Sequence, residues 1–554
     1  MVNLLKLKGN ALFRASTAMA GVGFLLFGYD QGVMSGVVAN DNFKYYMGME
    51  TEEDYNSALM GAIVALYEIG CMAGALSTGK VGDWLGRRKT IRLGCFILCV
   101  GAVIQTASVN VGMMIFARIF TGVGNGLNTA TIPVYQAELS PPKNRGAHVA
   151  FEASLLAFGV GIAYWLEFGL YFVHGEFPWR FPLAFQMVFG IILGVGTYFL
   201  PESPRWLQSH GHEDECKLVL ARLWTDEDTT HPRCVSLWEE IRDGIELERR
   251  EGIRSYKELF SKGRMNNRYR VFLGMGGQFM QQFGGINVIS YYLTDIFLQA
   301  GMNHAMAMLM AGVDSIFYFL GALTPIYTVD RYGRRFLMYA GLIGQAVTLI
   351  IVGAAQYCVE RGDTRASPAV IVFVILYNAI FGAAWLGLAW LYPSEIFPTA
   401  LRAKGNSMST GANWLGNFVV AMIAPVLFEY AKYWTFLLFG ILNVIFLIPI
   451  YLWYPETNGK SLEEIEVLFA TEDFKADARS IAPSIGASSQ YDEKRGDVER
   501  GSRVPSVASR PASRRIPSNV SVPQDGAKEQ PDPSSAAGQV KQDYDEKADG
   551  PNYK

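Results

Sequence analysis

Ionisable side chains lie inside long apolar stretches of this sequence. Asp30, Arg118 and Glu152 each fall within an apolar window. An ionisable group at membrane depth is costly and by default marks a functional site. A carboxyl group that alternates between an arginine-paired form and a protonated form can couple proton binding to a conformational change. We therefore predict that Asp30 and Arg118 couple protons, with a permanent structural ion pair as the alternative.

Three further acids, Glu68, Glu167 and Asp314, lie at similar depth. For these we favour hydrogen bonds between helices or a position near the membrane surface.

A cluster of neutral polar side chains surrounds a double glycine at Gly284 and Gly285; its members are Gln281, Gln282, Asn287 and Tyr291. Five residues rotate a straight helix by about 140° net, so Gln282 and Asn287 would face different directions. The glycines favour local unwinding that brings them together. Amide groups both donate and accept hydrogen bonds without adding charge, which suits a ligand rich in hydroxyl groups.

Apolar windows long enough to cross a bilayer position these side chains. Such windows need about 20 residues, and they recur at 17–38, 57–78, 91–108, 111–133, 148–170, 181–200, 271–297, 306–327, 336–356, 368–392, 406–427 and 434–454. Half of the residues are hydrophobic (50%) and 18% are charged. This composition predicts an all-α membrane protein and excludes a soluble enzyme, a nucleic-acid-binding protein and a secreted disulfide scaffold. The sequence contains no evident metal cluster, nucleotide-binding loop or nucleophile, so we expect no cofactor.

The distribution of charge predicts the remaining organisation. Lys and Arg concentrate in alternate short loops, which places both termini in the cytoplasm. The predicted segments are a cytoplasmic N-terminus (1–16), a six-helix half (17–200), a cytoplasmic helical linker (201–270), a second six-helix half (271–456) and a cytoplasmic, mostly disordered tail (457–554). The tail contains three Arg-x-x-Ser motifs that are candidate kinase sites, although so short a pattern arises easily by chance: Arg503/Ser506, Arg510/Ser513 and Arg515/Ser518.

The two halves repeat the same loops. Asp330 follows Asp83 by 247 residues, and Glu395 follows Glu138 by 257. This repeat is typical of proteins in which two halves rock to expose a central site alternately to each side. Ion pairs between helix ends can hold one side shut and break when it opens. The residues predicted to act as such a gate are Asp83, Arg87, Arg88, Glu138, Arg145, Asp330, Arg334, Arg335, Glu395 and Arg402.

The sequence resembles the sugar porter family of the major facilitator superfamily over nearly its whole length. The motifs that carry the resemblance are the two Asp-x-x-Gly-Arg-Arg loops, Pro201-Glu202-Ser203-Pro204-Arg205-Trp206-Leu207 and Pro455-Glu456-Thr457. Runs that resemble the fungal branch, with its glycerol–proton symporters and hexose or disaccharide carriers, are Gly28-Tyr29-Asp30-Gln31-Gly32, Ala163-Tyr164-Trp165 and Ser409-x-x-Ala412-Asn413-Trp414. The resemblance implies twelve transmembrane helices in two pseudo-symmetric halves.

The resemblance also implies roles for individual residues. Gln281, Gln282, Asn287 and Asn413 match sugar contacts, and Trp390 matches a tryptophan that stacks on the sugar ring. The family's Asp and Arg of proton coupling match Asp30 and Arg118. Two positions depart from the pattern, since Ala153 replaces a common Gln and Gly387 a common Pro. Glu152, beside Ala153, is then either a substitute hydroxyl acceptor or a second proton site.

The sequence thus predicts a plasma-membrane proton symporter for a neutral sugar or polyol. Its predicted partners are the solute, the proton and the lipid bilayer, with no nucleic acid, and kinase or ubiquitin machinery could act on the tail. The alternatives are a facilitated-diffusion uniporter, a glycerol–proton symporter and a non-transporting sugar sensor.

Overall fold

The computed structural model describes residues 7–49, 56–139, 145–250, 256–260, 265–398, 401–460, 465 and 468–469, without the side chains of 145–149, 244, 247–250, 256–257 and 403. These residues form helices joined by short turns, and no strand occurs among them. They all belong to one compact unit, Met1–Ser488, and the second unit, Ser489–Lys554, lies outside the described residues together with the candidate kinase sites.

Among the described residues, eight helices precede the central linker. They are α1 (Gly9–Gly32), α2 (Met34–Ala39), α3 (Asp41–Tyr46), α4 (Ser57–Leu85), α5 (Arg87–Thr106), α6 (Val111–Leu139), α7 (Arg145–Leu170) and α8 (Phe177–Gly196). We call this part the N-terminal half.

Shorter helices form the linker, and nine further helices follow it in the described part of the chain. The linker contains α9 (Pro204–Ser209), α10 (Glu213–Trp224), α11 (Pro232–Arg250) and a 3₁₀ turn at Tyr256–Phe260. The C-terminal half contains α12 (Asn267–Phe283), α13 (Ile286–Tyr291), α14 (Leu293–Gln299), α15 (His304–Leu323), α16 (Pro325–Tyr332), α17 (Arg334–Glu360), a 3₁₀ turn at Thr364–Ala366, α18 (Ser367–Ile396), α19 (Arg402–Tyr430) and α20 (Trp434–Trp453).

Ten of the described helical segments are long and apolar enough to cross a bilayer. The 29-residue α6 and the interrupted series α12 to α14 complete a set of twelve spans. Several helices are longer than their apolar windows; α1 begins at Gly9 and α4 ends at Leu85. An apolar window reflects the thickness of the hydrocarbon layer, whereas the helix continues into the polar region on either side.

The seventh span breaks where the sequence predicts. α12 ends at Phe283, α13 begins at Ile286, and Gly285 has a φ of 105°. A left-handed backbone of this kind is accessible mainly to glycine. The predicted local unwinding at the double glycine is therefore confirmed.

Small residues set how closely the helices approach. A Cβ atom on Gly126 of α6 would lie 2.1 Å from the carbonyl oxygen of Cys71 on α4, and one on Gly28 of α1 would lie 1.8 Å from that of Leu156 on α7. Such backbone contact is typical of helix association in membranes. Between the halves, α4 packs along α19 and α7 packs along α15.

Candidate functional site

Asp30 on α1 is buried within the N-terminal half and bonded to a tyrosine. The hydroxyl of Tyr67 on α4 donates to Asp30 Oδ2 at 2.9 Å, and Asn125 on α6 donates to the same hydroxyl oxygen at 2.6 Å. Asp30 is 1% exposed, and its Oδ1 has no hydrogen-bond partner among the described residues. We call this group, together with Arg118, the Asp30 centre.

Arg118 lies close to Asp30 without a direct ion pair between them in the described structure. Its guanidinium donates to the carbonyl oxygens of Ile63 (3.3 Å) and Val64 (3.0 Å) and lies 4.3 Å from the centre of the Tyr67 ring. Tyr67 therefore contacts the acid with its hydroxyl and the arginine with its ring. Displacement of this tyrosine would allow the two charged groups to pair.

A second hydrogen-bonded group joins the N-terminal half to the seventh span. The hydroxyl of Tyr291 on α13 lies 2.7 Å from Oε1 of Gln31 and 2.5 Å from Oε1 of Glu68. Asn417 on α19 donates to the Tyr291 hydroxyl at 3.3 Å and to Gln31 at 3.5 Å. Glu68 does bond another helix, as the sequence predicts, but that helix belongs to the opposite half.

The predicted amide side chains Gln281, Gln282, Asn287 and Asn413 lie on α12, α13 and α19 and contact one another in sequence; we call them the amide cluster. Asn413 donates to Oε1 of Gln278 at 2.6 Å and of Gln281 at 2.9 Å. Gln282 lies 3.4 Å from Gln281 and accepts a short hydrogen bond from Asn287. Four of the predicted contact residues thus form one chain of hydrogen bonds, which Gln278 extends.

Trp390 on α18 lines a narrow, mainly apolar pocket with Phe24 and Phe27 of α1 and with residues 129, 132 and 133 of α6. The rings of Phe27 and Trp390 meet edge to face, with centroids 6.2 Å apart. Aromatic faces with a few polar groups nearby are typical of sites that bind small organic ligands. Among the described residues, no group of three or more His, Cys, Asp or Glu side chains could hold a metal ion.

The two positions that depart from the family pattern face each other. A Cβ atom on Gly387 of α18 would lie 3.6 Å from the Cβ of Ala153 on α7. Next to Ala153, Glu152 is 3% exposed, and its Oε1 has no partner in the described part of the chain. Small side chains therefore replace two larger ones where the halves approach each other.

The predicted gate residues form two similar clusters, each within one half. In the N-terminal cluster, Arg87 makes two 3.0 Å bonds to the carboxylate of Glu138 and lies 3.6 Å from Asp83. Glu202 accepts from the backbone N–H groups of Arg87 and Arg88. Burial raises the pKa of Glu202, although its hydrogen bonds to backbone N–H groups act in the opposite direction.

The C-terminal cluster has the same plan with more bonds. Arg334 is bonded to Glu395 (2.7 Å), Asp330 (2.9 Å) and Asn458 (2.8 Å). Glu456 accepts from the backbone N–H groups of Arg334 and Arg335 at 2.9 Å, as Glu202 does in the other half. These bonds join helices of the same half.

The remaining gate residues lie nearby. Arg88 donates to the carbonyl oxygens of Thr197 and Tyr198, and Arg335 donates to that of Tyr451. Arg402 begins α19; Arg145 begins α7, but its side chain is not among those described. That these residues open and close one side of the protein stays a prediction.

Comparison with known proteins identifies the family. The family model described as "Sugar (and other) transporter" matches residues 16–469. The chain belongs to the sugar porter family. It is 36% identical over 473 residues to the sugar transporter STL1 of Saccharomyces cerevisiae, covering 84% of this chain and 82% of that protein. It is 30% identical over 469 residues to a high-affinity glucose transporter of Kluyveromyces lactis, covering 81% and 84%.

A solved structure gives the same answer for the fold. The proton:xylose symporter XylE, bound to 6-bromo-6-deoxy-D-glucose, superposes with a TM-score of 0.71 at 26% identity, covering 83% of this chain and all of the other. The chain is therefore a multi-pass membrane transporter of the major facilitator superfamily rather than an enzyme. The predicted family and fold class are confirmed.

Several side chains that bond to the predicted site residues were not themselves predicted. Gln31, Tyr67 and Asn125 complete the two hydrogen-bonded groups, and Gln278 extends the amide cluster. Gln278, Gln281 and Gln282 recur at spacings of three and four residues, which places them on one face of a helix. That spacing was a usable signal for Gln278.

Proposed function

We propose that this transporter is a proton-coupled symporter that imports a neutral sugar or polyol by alternating access. The observation that carries the proposal is the buried carboxyl of Asp30, which contacts Tyr67 beside Arg118 and adjoins, through Gln31, the span that holds the amide cluster. The similarity to a proton:xylose symporter and to glucose transporters supports the same conclusion.

The aromatic side chains at the Trp390 pocket and the amide cluster suit a solute with hydroxyl groups on a carbon frame. Trp390 and Phe27 offer apolar faces to the frame. Gln282, Asn287 and Asn413 can exchange their hydrogen bonds to neighbouring amide groups for bonds to hydroxyl groups. Because amide groups both donate and accept, this exchange leaves few polar atoms without partners.

Proton binding at Asp30 would control the position of Arg118. With Asp30 neutral, Arg118 stays on the carbonyl oxygens of Ile63 and Val64. With Asp30 ionised, attraction between opposite charges in a buried site draws the guanidinium toward the carboxylate and displaces Tyr67. Since Tyr67 and Asn125 belong to different helices, this exchange would move α4 relative to α6.

The finer assignments belong to the same proposal. The plasma membrane is the expected location, with both termini and the segments 201–270 and 457–554 in the cytoplasm. In that orientation the tail's Ser and Lys residues would be accessible to kinases and ubiquitin ligases. The six-helix halves 17–200 and 271–456 would be the bodies that rock, and the two arginine clusters would act as the cytoplasmic gate.

Uptake of labelled glucose and glycerol into cells that lack endogenous carriers tests the proposal. Uptake should fall as external pH rises and collapse with a protonophore, and unlabelled sucrose, xylose, sorbitol or glycerol should reveal the solute by competition. Asp30→Asn should lose uphill uptake but keep exchange of labelled for unlabelled solute, because the amide preserves the shape of the carboxyl without carrying the proton.

Asp314→Asn is the matched control, because the Asp314 carboxyl is buried and bonded to Asn378 within the C-terminal half. Uptake that runs only downhill and ignores the protonophore would instead establish facilitated diffusion. A protein that reaches the surface and carries no solute in the panel would favour the sensor.

A further inference from the structure

Glu68 is a buried acid that the Asp30 mechanism does not use. Its side chain lies between the two halves, and its Oε2 has no hydrogen-bond partner among the described residues. The titratable and charged groups facing it are Asp30 from α1, Tyr67 and Cys71 from its own helix α4, Arg118 from α6 and Tyr291 from α13. Among the described residues Arg118 makes no ion pair with Glu68; its guanidinium donates to the backbone carbonyl oxygens of Ile63 and Val64.

The hydrogen bonds around Tyr291 are compatible with two protonation states of Glu68. The Tyr291 hydroxyl has one hydrogen but lies within bonding distance of two acceptors, Gln31 Oε1 at 2.7 Å and Glu68 Oε1 at 2.5 Å. The Gln31 oxygen cannot donate. If the hydroxyl donates to Gln31, the contact with Glu68 needs a hydrogen on the carboxyl group. If it donates to Glu68 instead, the Gln31 oxygen still accepts from Asn417 at 3.5 Å. Because Glu68 has no ion-pair partner among the described residues, the protonated form is the one that avoids an uncompensated buried charge.

Loss of this proton would weaken the contact between the halves. The Tyr291 hydrogen would turn to the Glu68 carboxylate, and Gln31 would keep only the 3.5 Å bond from Asn417. A carboxylate buried without an ion-pair partner is unfavourable unless water reaches it. Ionisation of Glu68 is therefore compatible with an opened interface, and protonation is compatible with the closed interface seen here.

The α13 segment is a suitable moving part. It is six residues long and is separated from α12 by the Gly284–Gly285 break. From the N-terminal half, Tyr164 donates to the carbonyl oxygen of Ser290, and Ser35 lies 3.2 Å from Thr294 just beyond the segment. The segment also carries Asn287 of the amide cluster, so its displacement would alter the proposed solute site.

We propose that Glu68 is a second proton-exchanging side chain of this transporter, which holds α13 against the N-terminal half when protonated and releases it when ionised. The proton passes to water that enters as α13 moves away and is regained from water before the contact reforms. This inference rests on the proposed proton-coupled function, and it adds a carboxyl that acts directly on the solute-binding span.

Infrared spectroscopy of the purified, full-length protein tests the protonation step without a solute. The wild-type protein should show a protonated-carboxyl band at neutral pH that is absent from Glu68→Gln. Tyr291→Phe keeps the carboxyl but removes its partner, so the band should persist with a shifted titration midpoint. A band that is identical in wild type and Glu68→Gln would overturn the proposal, as would a Tyr291→Phe midpoint equal to that of wild type.

Transport measurements test the coupling step, with labelled glucose and labelled glycerol as probes. Glu68→Gln should keep solute exchange but lose the dependence of exchange on external pH, because the amide cannot ionise to release α13. Asp314→Asn, the control with a buried acid elsewhere, should keep the wild-type pH profile. A wild-type pH profile in Glu68→Gln at normal surface amounts would refute the role.

The two proposals fail in different ways. Wild-type uptake that is unaffected by a protonophore contradicts symport. The infrared bands still determine the protonation state of Glu68 in that case. Coupled wild-type uptake with an unaltered Glu68→Gln profile contradicts only the role of Glu68. If Glu68→Gln does not fold, the test relies on Tyr291→Phe, because the Glu68 carboxyl remains in place in that variant.

Discussion

Arg334→Lys should destabilise the C-terminal cluster far more than its conservative chemistry suggests. The side chain of Arg334 is 8% exposed. Its Nε and Nη2 atoms both donate to the carboxylate of Glu395. Its Nη1 atom donates to Asp330, to Asn458 and to the carbonyl oxygen of Val329. A lysine has one nitrogen and cannot reproduce the planar fork.

The magnitude follows from the number of bonds lost. An ammonium group has three hydrogens, so at least two of the bonds made by the guanidinium must go. Hydrogen bonds to charged groups each contribute about 1.5–3 kcal/mol, so the free energy of unfolding should fall by about 3–6 kcal/mol. Arg87→Lys should cost less, because Asp83 is 3.6 Å from Arg87 whereas Asp330 is 2.9 Å from Arg334.

The assay is unfolding of the purified protein in mixed micelles with a rising fraction of SDS, followed by tryptophan fluorescence. Arg331→Lys is the control, because Arg331 is exposed and lies over the ring of Tyr332; its effect should stay within about 0.5 kcal/mol. If Arg334→Lys unfolds at the wild-type SDS fraction, the cluster does not stabilise the C-terminal half and the reasoning fails. Transport per surface molecule, measured on the same variants, separates stability from a role in gating.

Three further predictions concern the site, the packing and the tail. Asn287→Ala and Trp390→Ala should each weaken apparent affinity for the labelled solute, with about 0.5–1.5 kcal/mol lost for the neutral hydrogen bond of Asn287; unchanged affinity in both would place the site elsewhere. Gly126→Ala should reduce the amount of folded protein on size-exclusion chromatography, because the new Cβ would overlap a backbone oxygen of α4, whereas Gly169→Ala has nothing within 4 Å and should not. Truncation after Phe469 should leave initial transport rates per surface molecule nearly intact, and a truncated protein that reaches the membrane but carries nothing would show that the tail is required.

The boundary of that truncation has a structural reason. Phe469 is 4% exposed; its ring lies 4.8 Å from the guanidinium of Arg270, and Asn266 donates to its carbonyl oxygen. Phe469 is therefore packed against the start of α12. A truncation that removes Phe469 should destabilise the protein, which the sequence alone did not predict.

The sequence predicts the spans and the break in the seventh span because both depend on local composition. Apolar length decides which segments cross the bilayer, and the paired glycines decide where the helix unwinds. The amide cluster could be predicted for the same reason, since Gln281, Gln282 and Asn287 lie within seven residues of one another in the chain.

The sequence does not predict which neighbour each buried acid contacts. Asp30 and Arg118 were expected to pair, but Tyr67 lies between them in the structure. Glu68 was expected to make an ordinary helix contact, but it faces the opposite half. Both outcomes depend on the rotation of α4, which is set by close backbone contacts such as that of Gly126 with Cys71. Those contacts join residues far apart in the chain.

The rotation of α1 and α4 also explains how the proposed proton site at Asp30 can act on the proposed solute site without a long relay. Neighbouring residues on a helix point about 100° apart. On α4, Tyr67 therefore contacts the Asp30 centre while Glu68 faces α13; on α1, Asp30 belongs to the centre while Gln31 accepts from Tyr291. A shift of either helix that alters the Asp30 centre must alter the bonds to Tyr291 as well. The coupling between proton and solute then needs only two adjacent pairs of side chains on two packed helices.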